Sequence, residues 1–194
     1  MTTDFVSIGM VGTSWWADAM YLPAVASHPE ARTTAICGRN RENAQKLADT
    51  WKIPYVYTDY NEMIESGNIN AIIISTPNDT HYPITMKALE HGLHVLCEKP
   101  IALNYADAKH MADTACEKGV KHLVPFTYRF MPTARYLKEL IDGGYIGKPY
   151  HLNLRYYTGY ARDGQYMWRF NVEEAGSGII ELLIAIISPR LLIP

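Results

Sequence analysis

Short apolar runs separated by polar turns recur along this chain, and they constrain its fold more than any other feature. The runs are Phe5 to Val11, Thr33 to Cys37, Ala71 to Ile74, His94 to Cys97 and Leu123 to Phe126. None of them alternates cleanly between apolar and polar residues, as a strand with one solvated face does. Continuous runs of this length are typical of strands buried on both faces of a parallel sheet.

Helical patterns lie between these runs. Apolar residues recur at helical spacing over residues 44–51 and 108–116, and Gly92 and Gly119 follow predicted helix ends. The residues at predicted helix N-caps are Asn40, Asp59, Asp79 and Asn104. Strand and helix alternate to about residue 126. This order predicts an α/β fold with a doubly wound parallel sheet and helices on both of its faces.

The pattern changes after residue 126. One more amphipathic helix is predicted over residues 134–141, and Gly143 and Gly144 follow it. Residues 149–160 then alternate in the manner of a long, half-exposed strand of an antiparallel sheet. We therefore predict one domain over residues 1–126 and the incomplete start of an α+β domain over residues 127–194.

Composition excludes several classes of protein. The chain has 194 residues and a formal charge of −2, whereas a non-specific nucleic-acid binder needs a basic surface. The longest apolar run, residues 182–187, is too short for a membrane helix, and no signal peptide is visible. Three cysteines without a paired spacing predict buried thiols and no metal site. Cytoplasm is the expected location.

The turn after the first predicted strand carries the first chemical motif. From Gly12 the sequence reads G-x-S-x-x-A and opens a helix, a variant of the dinucleotide fingerprint G-x-G-x-x-G/A. Gly12 would make the tight turn, the backbone at Ser14 would approach a pyrophosphate, and Ala17 would let the helix pack on the strand. The alternative is an ordinary strand–turn–helix corner. Ser14 in place of the middle glycine weakens the match.

The end of the second strand bears on the choice of cofactor. An NAD site usually has a carboxylate there for the ribose hydroxyls, but this chain reads Cys37-Gly38-Arg39-Asn40. The Arg39 guanidinium could pair with a 2′-phosphate, which favours NADP and leaves NAD possible. The alternative is that Arg39 is a solvated turn residue.

Two further motifs follow strands at the same predicted edge of the sheet. Pro77 and Asn78 come after one strand and could line a nicotinamide ribose, although Asp79 could simply cap the next helix. Lys99 comes after the next strand, and a lysine beside a cofactor cleft can donate or accept a proton. The alternative for that turn is a surface salt bridge made by Glu98.

Together these stretches resemble the glucose–fructose oxidoreductase / inositol dehydrogenase / rhizopine-catabolism (Gfo/Idh/MocA) family. The stretches that carry the resemblance are IGMVGTSWWA, STPNDTHYPITMKALEHGLHVLCEKPIALNYADAKHM and YRFMPTARYLKELIDGGYIGKPYHLN. It spans roughly residues 5 to 180, and the Glu-Lys-Pro motif is its most specific part. The resemblance implies a Rossmann domain, a second α+β domain with an open antiparallel sheet, and oxidation or reduction of sugars, cyclitols and related small molecules with NAD(P).

The resemblance also implies roles for individual residues. Lys99 matches the catalytic lysine, and its bond to Pro100 is expected to be cis. The residues that match the cofactor site are Gly12, Ser14, Trp15, Thr76, Pro77, Asn78, His81, Glu98 and Pro100, to which the charge argument adds Arg39. The residues that match the substrate cleft are Tyr128, Arg129, Trp168 and Arg169. Complete relatives of this kind are homo-oligomers, and the small-molecule substrate would be the chain's main partner.

One departure from the family pattern bears on activity. After the glycine-rich turn at residues 176–178 the family continues D-x-G-x-H-x-x-D, whereas this chain reads Glu181-Leu182-Leu183-Ile184-Ala185. The sequence is therefore expected to be truncated or frame-shifted after about residue 180. Three hypotheses follow: an NADP-preferring oxidoreductase, a nucleotide-binding module without turnover, and a defective fragment whose exposed strand aggregates.

Overall fold

The computed structural model describes residues 5–151, 153, 155, 157 and 170–176. Packing divides the chain into two compact units, Met1–Pro125 and Phe126–Pro194. Each unit is described by itself below. Among the described residues, no helix is long and apolar enough to cross a membrane.

The first unit is built on one six-stranded parallel sheet. Its strands are β1 (Val6–Val11), β2 (Ala31–Cys37), β3 (Tyr55–Tyr57), β4 (Ala71–Ile74), β5 (His94–Cys97) and β6 (His122–Leu123). Their spatial order is β3-β2-β1-β4-β5-β6, and every neighbouring pair is parallel. This is the doubly wound order of a Rossmann fold. The predicted fold class is confirmed.

Helices connect these strands. The first connection contains a π-helical turn (Ala17–Tyr21) that runs directly into α1 (Leu22–Ala26). The others in this unit are α2 (Arg41–Trp51), α3 (Tyr60–Glu65), α4 (His81–Glu90) and α5 (Tyr105–Glu117). The first turn of α4 is preceded by a 3₁₀ turn, Asn78–Thr80.

Capping signals located most helix ends correctly. The side chains of Asn40, Asp59 and Asn104 each accept a backbone hydrogen bond at the start of α2, α3 and α5. Gly92 and Gly119 follow α4 and α5 with positive φ, as a left-handed C-cap requires. The expected cap at Asp79 is wrong. Asp79 lies inside the 3₁₀ turn, one residue before the cap position, which Thr80 occupies without a side-chain cap bond.

Two strands differ from the apolar runs. β3 did not stand out as an apolar run, because its three residues are Tyr-Val-Tyr and none of them is fully buried. β6 is only His122–Leu123, although a run at Leu123 to Phe126 was expected. Both strands lie at the edges of the sheet, where one side is unpaired and the apolar signal of a central strand is absent.

Two hydrophobic clusters cover the two faces of the sheet. Neighbouring residues along a strand point to opposite faces, so Met10 and Ile73 join one cluster while Val11 and Ile74 join the other. The first cluster takes in residues of α1 and α2, and the second takes in residues of α3, α4 and α5. Burial on both faces explains why the central strands are continuously apolar.

The described part of the second unit consists of helical segments. A 3₁₀ turn (Thr127–Phe130) precedes α6 (Pro132–Asp142), and α7 (Val172–Ala175) follows later. The α6 helix ends at Gly143 and Gly144, as its sequence predicts. The strand expected over residues 149–160 falls mainly on positions outside the described residues.

Candidate functional site

The carboxyl ends of the parallel strands bring four turns to one edge of the sheet. The strand order reverses at β1, which pairs with β2 on one side and with β4 on the other. In open α/β sheets, ligands bind in the crevice outside such a reversal. The turns after β1, β2, β4 and β5 all belong to the first unit, and they carry Lys99 and the predicted cofactor residues, with His81 at the start of α4.

Gly12 makes the first of these turns, and no other residue type fits there. Its φ is +115°, and a Cβ atom at this position would lie 2.1 Å from the Ser75 carbonyl oxygen. The Gly12 amide donates to the Cys37 carbonyl oxygen at 2.9 Å. The turns after β1, β2 and β4 are thus packed backbone against backbone.

Ser14 begins the helix that follows. Its Oγ accepts from the Ala17 amide at 3.4 Å, and its carbonyl oxygen accepts from the Asp18 amide at 3.2 Å. A serine at the middle position of the fingerprint therefore acts as the helix N-cap. The first amides of a helix are the groups that bind anions in dinucleotide sites. The neighbouring Trp15 side chain is 73% exposed.

Gly38 lets the turn after β2 approach the glycine loop. A Cβ atom on Gly38 would lie 2.4 Å from Thr13 Cγ2, so the two turns touch directly. Arg39 comes next and is exposed, and no carboxylate of the described residues forms an ion pair with it. The only charge that this turn presents beside the loop is therefore a guanidinium.

The turn after β4 is held by its own hydroxyl groups. The Thr80 hydroxyl lies 2.6 Å from both Thr76 Oγ1 and the Pro77 carbonyl oxygen. Thr76 and Pro77 remain partly accessible, whereas Asn78 is buried. This turn is compact, and it presents Thr76 and Pro77 at the open edge.

His81 ties the turn after β4 to the turn after β5. Its side chain is fully buried, with Nδ1 2.7 Å from the Pro100 carbonyl oxygen and Nε2 3.0 Å from the Thr76 carbonyl oxygen. Burial lowers its pKa below the usual value, although the two carbonyl contacts oppose that shift. His81 was expected at the cofactor. Its two ring nitrogens contact the backbone of these two turns, and its place at the cofactor stays a prediction.

Glu98 is also turned inwards. It is 8% exposed, and its Oε1 accepts hydrogen bonds from the Trp16 indole at 2.7 Å and from the Tyr21 hydroxyl. Its Oε2 accepts from the Lys99 amide at 3.0 Å. Burial and the Glu98 carboxylate raise the pKa of the Tyr21 hydroxyl far above its usual value, so this hydroxyl remains a donor. The alternative interpretation of Glu98 as part of a surface salt bridge is wrong.

Lys99 and Pro100 complete the edge. Both are half-buried, and the peptide bond between them is cis, as the resemblance implied. The Glu98 amide donates to the Ile74 carbonyl oxygen at 3.0 Å, which is the last rung of the ladder between β4 and β5. Lys99 is therefore the second residue after β5 and follows the last backbone hydrogen bond between β5 and β4.

Cys37 and Cys97 lie at the ends of β2 and β5, beneath this edge. Burial raises the pKa of each thiol to about 12, with nearby Asp59 and Glu62 adding to the shift at Cys37. Both thiols are therefore protonated at neutral pH, when they are poor nucleophiles. They pack as part of the core, whereas Cys116 is exposed, so the expectation of three buried thiols is wrong for Cys116.

The predicted substrate residues lie in the second half of the chain. Tyr128 and Arg129 are in the 3₁₀ turn of the second unit. Trp168 and Arg169 fall outside the described residues.

Sequence reasoning missed three residues that shape the site. Trp16 and Tyr21 reach Glu98, and Thr13 packs on Gly38. Trp16 and Tyr21 are five positions apart, a spacing that does not bring side chains together in an α-helix. The sequence therefore does not predict that both side chains bind Glu98. The pairing of Thr13 with Gly38 depends on the contact between two loops.

Comparison with known proteins identifies the family. Residues 6–126 match the model of the Gfo/Idh/MocA group, described as an oxidoreductase family with an NAD-binding Rossmann fold. The chain belongs to this family. The match begins at β1 and ends just beyond β6, so it contains all four turns of the site.

Individual relatives of this Gfo/Idh/MocA chain include dehydrogenases of sugars and cyclitols. An NADP⁺ D-xylose 1-dehydrogenase of Haloarcula marismortui is 30% identical over 76% of this chain and 42% of its own length. A scyllo-inositol dehydrogenase structure from Lactobacillus casei, with bound NAD(H) and scyllo-inositol, is 26% identical with a TM-score of 0.69 over 74% of this chain and 42% of that one.

A third relative matches nearly the whole chain. The crystal structure of an oxidoreductase domain protein from Kribbella flavida has a TM-score of 0.88 and 28% identity over 98% of this chain and 53% of that one. The chain spans 38% to 48% of the length of three curated relatives that it matches.

Proposed function

We propose that this chain is the nucleotide-binding and proton-transferring part of an NADP-preferring oxidoreductase that acts on a sugar, cyclitol or related hydroxyl or carbonyl compound. The observation that carries the proposal is the position of Lys99. It is the second residue after β5, at the same edge of the sheet as a helix start, a glycine loop and Arg39, which forms no ion pair within the described residues.

The turn after β1 fits a dinucleotide pyrophosphate. Only glycine is possible at position 12, because a Cβ atom would meet the Ser75 backbone. The helix that starts at Ser14 offers free amides and the positive end of its dipole to an anion. Gly12, Ser14 and Trp15 would therefore hold the pyrophosphate, while Thr76 and Pro77 would line the nicotinamide side.

Arg39 is the basis for NADP over NAD. A guanidinium can donate two parallel hydrogen bonds to a 2′-phosphate, whereas the ribose hydroxyls of NAD call for a carboxylate acceptor. The chain has no carboxylate at this turn, and the Arg39 guanidinium forms no ion pair within the described residues. The NADP⁺ in the name of the D-xylose relative agrees with this choice.

Lys99 would move the proton. A bound nicotinamide supplies the hydride chemistry in enzymes of this kind. Lys99 Nζ would take the proton from the reacting hydroxyl when the substrate is oxidised, and return it to the carbonyl oxygen when it is reduced. Glu98 and Pro100 flank it, and their contacts hold the backbone from which the amine extends.

The remaining parts of the proposal concern the whole protein. Tyr128, Arg129, Trp168 and Arg169 would contact the substrate. The domain division at residue 126, a homo-oligomeric state and a cytoplasmic location also belong to the proposal. The three free cysteines fit a reducing compartment.

The first test is a thermal-shift titration of the chain with NADPH and with NADH. A ligand at 100 times its Kd stabilises by about 2.7 kcal/mol, which raises the Tm of a chain of this size by roughly 5–11 °C. We expect a clearly larger shift with NADPH. We also expect Arg39→Ala to weaken NADPH binding about tenfold or more, since it loses charge-assisted hydrogen bonds, and to change NADH binding little.

Lys46→Ala is the matched control for charge, because Lys46 is an exposed residue of α2. It should leave the preference for NADPH intact. Equal losses of NADPH and NADH affinity in Arg39→Ala would contradict the role of Arg39. The absence of a shift with either nucleotide would contradict the proposed function itself.

The second test is Lys99→Ala, assayed with a panel of polyols and sugars. Turnover should be lost because no other group is proposed to exchange the proton, while NADPH affinity should stay within a few-fold. Lys118→Ala, an exposed change at the end of α5, is the control. An equal fall in nucleotide affinity would remove Lys99 from catalysis. Binding without turnover in the parent chain would instead identify a nucleotide-binding module.

A further inference from the structure

The Glu98 carboxylate receives donors from two separate segments of the first unit. The Trp16 indole and the Tyr21 hydroxyl both bind Oε1, and the Lys99 amide binds Oε2. A carboxylate is an acceptor at both oxygens, so it satisfies all three donors. The first two donors belong to the helix that begins at the glycine loop, and the third is the backbone of the proposed catalytic lysine.

The π-helical turn is what brings the first two donors to one oxygen. In a regular α-helix, residues five apart point about 140° away from each other. Here the Leu22 amide bonds to the Ala17 carbonyl oxygen, an i to i−5 bond that widens the turn. Trp16 and Tyr21 consequently face the same way. Single π turns inside helices often occur at functional sites.

The third donor, the Lys99 amide, lies just beyond the last backbone hydrogen bond between β4 and β5. The Glu98 amide makes the last bond to β4, at the Ile74 carbonyl oxygen. The next amide, that of Lys99, bonds to Glu98 Oε2 instead. The Lys99 backbone is therefore fixed by a side chain that is itself held by the dinucleotide-loop helix.

We propose that Glu98, clasped by Trp16 and Tyr21 through the π turn, is a positioning residue that couples the nucleotide-binding helix start to the backbone of Lys99. The proposal rests on the proposed function for its consequence, because the Lys99 amine is the group positioned. A pyrophosphate that orders the helix start would, through Glu98, also order Lys99. The nucleotide loop and the backbone of the proposed catalytic lysine would then become ordered together.

Glu98→Gln tests the coupling without changing the size of the side chain. A glutamine has one acceptor oxygen and one NH₂ donor. If its oxygen takes the Trp16 and Tyr21 donors, its NH₂ group faces the Lys99 amide, and the two donors cannot bond. If it is flipped, the NH₂ group faces the Trp16 indole. In either orientation, at least one of the three hydrogen bonds to the side chain at position 98 is lost. Tyr21→Phe removes only a hydroxyl, and it serves as the second variant should Glu98→Gln fold poorly.

The measurement is amide hydrogen exchange by NMR on the chain without nucleotide. We expect the Lys99 amide to exchange faster in Glu98→Gln, by about tenfold if its hydrogen bond is lost and by less if the flipped glutamine replaces the carboxylate with a neutral amide oxygen. A smaller increase is expected in Tyr21→Phe. Amides in the central strands β1 and β4 should keep their rates. Glu117→Gln on the exposed side of α5 is the matched control and should change none of them.

Two outcomes would overturn the proposal. One is an unchanged exchange rate of the Lys99 amide in both variants. The other is an equal acceleration across the whole sheet, which would make the hydrogen bonds of Glu98 general stabilising contacts.

A second experiment adds NADPH to the parent chain and to Tyr21→Phe. Protection of the Lys99 amide should increase in the parent chain and increase less in the variant, and equal increases would also overturn the coupling. If NADPH moves no resonance of Gly12, Ser14 or Trp16, the proposed function fails, while the exchange result without nucleotide still decides whether Glu98 holds the Lys99 backbone.

Discussion

Gly12 and Gly38 show how single residues create this site by having no side chain. At Gly12 the missing Cβ admits the Ser75 carbonyl oxygen, and at Gly38 it admits the Thr13 side chain. Both contacts join turns that come from different strands. The conformation of the turn after β1 therefore depends on its contacts with the turns after β2 and β4 as well as on its own glycine motif.

Gly12→Ala is expected to destabilise the first unit strongly. A matched control is Gly67→Ala, because Gly67 also has a positive φ, +73°, but nothing lies within 4 Å of its added Cβ. The control should cost about 1 kcal/mol from backbone strain alone. Gly12→Ala adds a clash with Ser75 that only backbone movement can relieve, so it should cost at least about twice as much. Thermal unfolding measures both, and equal changes in Tm would contradict the argument.

At the scale of elements, α4 and α5 begin in different ways although an Asn or Asp side chain precedes each of them. Asn104 caps α5, with its Oδ1 accepting from the Asp107 amide at 2.9 Å. Asp79 has the same kind of side chain before α4, but it lies inside a 3₁₀ turn and does not cap the helix. The hydroxyl contacts of Thr80 close that turn instead. The position of a polar residue before a helix indicates a cap only when no other turn intervenes.

Asn104→Ala should therefore lower stability more than Asp79→Ala. Loss of an N-cap costs about 1 kcal/mol, which is roughly 2–4 °C in Tm for a chain of this size. Asp79→Ala removes only a charge near a helix start, worth at most about 1 kcal/mol and less when exposed to salt. Thermal unfolding at moderate salt compares the two. A larger loss for Asp79→Ala would show that Asp79 does cap α4.

At the scale of the whole molecule, a buried histidine, His81, and a partly buried one, His122, make stability depend on pH. Burial lowers the pKa of His81, at the start of α4, and of His122, in β6. His122 Nε2 is buried and has no hydrogen-bond partner among the described residues. The folded chain thus favours the neutral form of both rings, although they lie at different places in the first unit.

The free energy of unfolding should consequently fall as the pH drops through about 6.5. In the unfolded chain a histidine titrates near 6.5, so between that pH and the lower folded pKa the unfolded state binds more protons. Thermal unfolding at pH 7.5 and 5.5 should give a lower Tm at the acidic pH. His122→Leu, which removes one titrating ring, should make the decrease in Tm between pH 7.5 and pH 5.5 smaller. A Tm that stays constant or rises on acidification would contradict this prediction.

The sequence by itself determined the parts of this protein that follow from local pattern. Continuous apolar runs located the central strands because these are buried on both faces, and caps and glycines located helix ends because their bonds are made within a few residues. The family motifs located the turn that carries Lys99. The edge strand β3 escaped prediction, and β6 was predicted with other bounds, because both strands are short and only partly buried.

Only the tertiary structure decided which side chains meet at the edge of the sheet. Glu98 lies 82 positions from Trp16 and 77 from Tyr21, and His81 contacts the carbonyl oxygen of Pro100, 19 residues further on. No local pattern records such separations. The π turn adds to this, since it reverses the direction in which a helix would have pointed Tyr21 relative to Trp16. These contacts arise when the crossover connections bring distant strand ends side by side, and sheet pairing, not local sequence, sets that geometry.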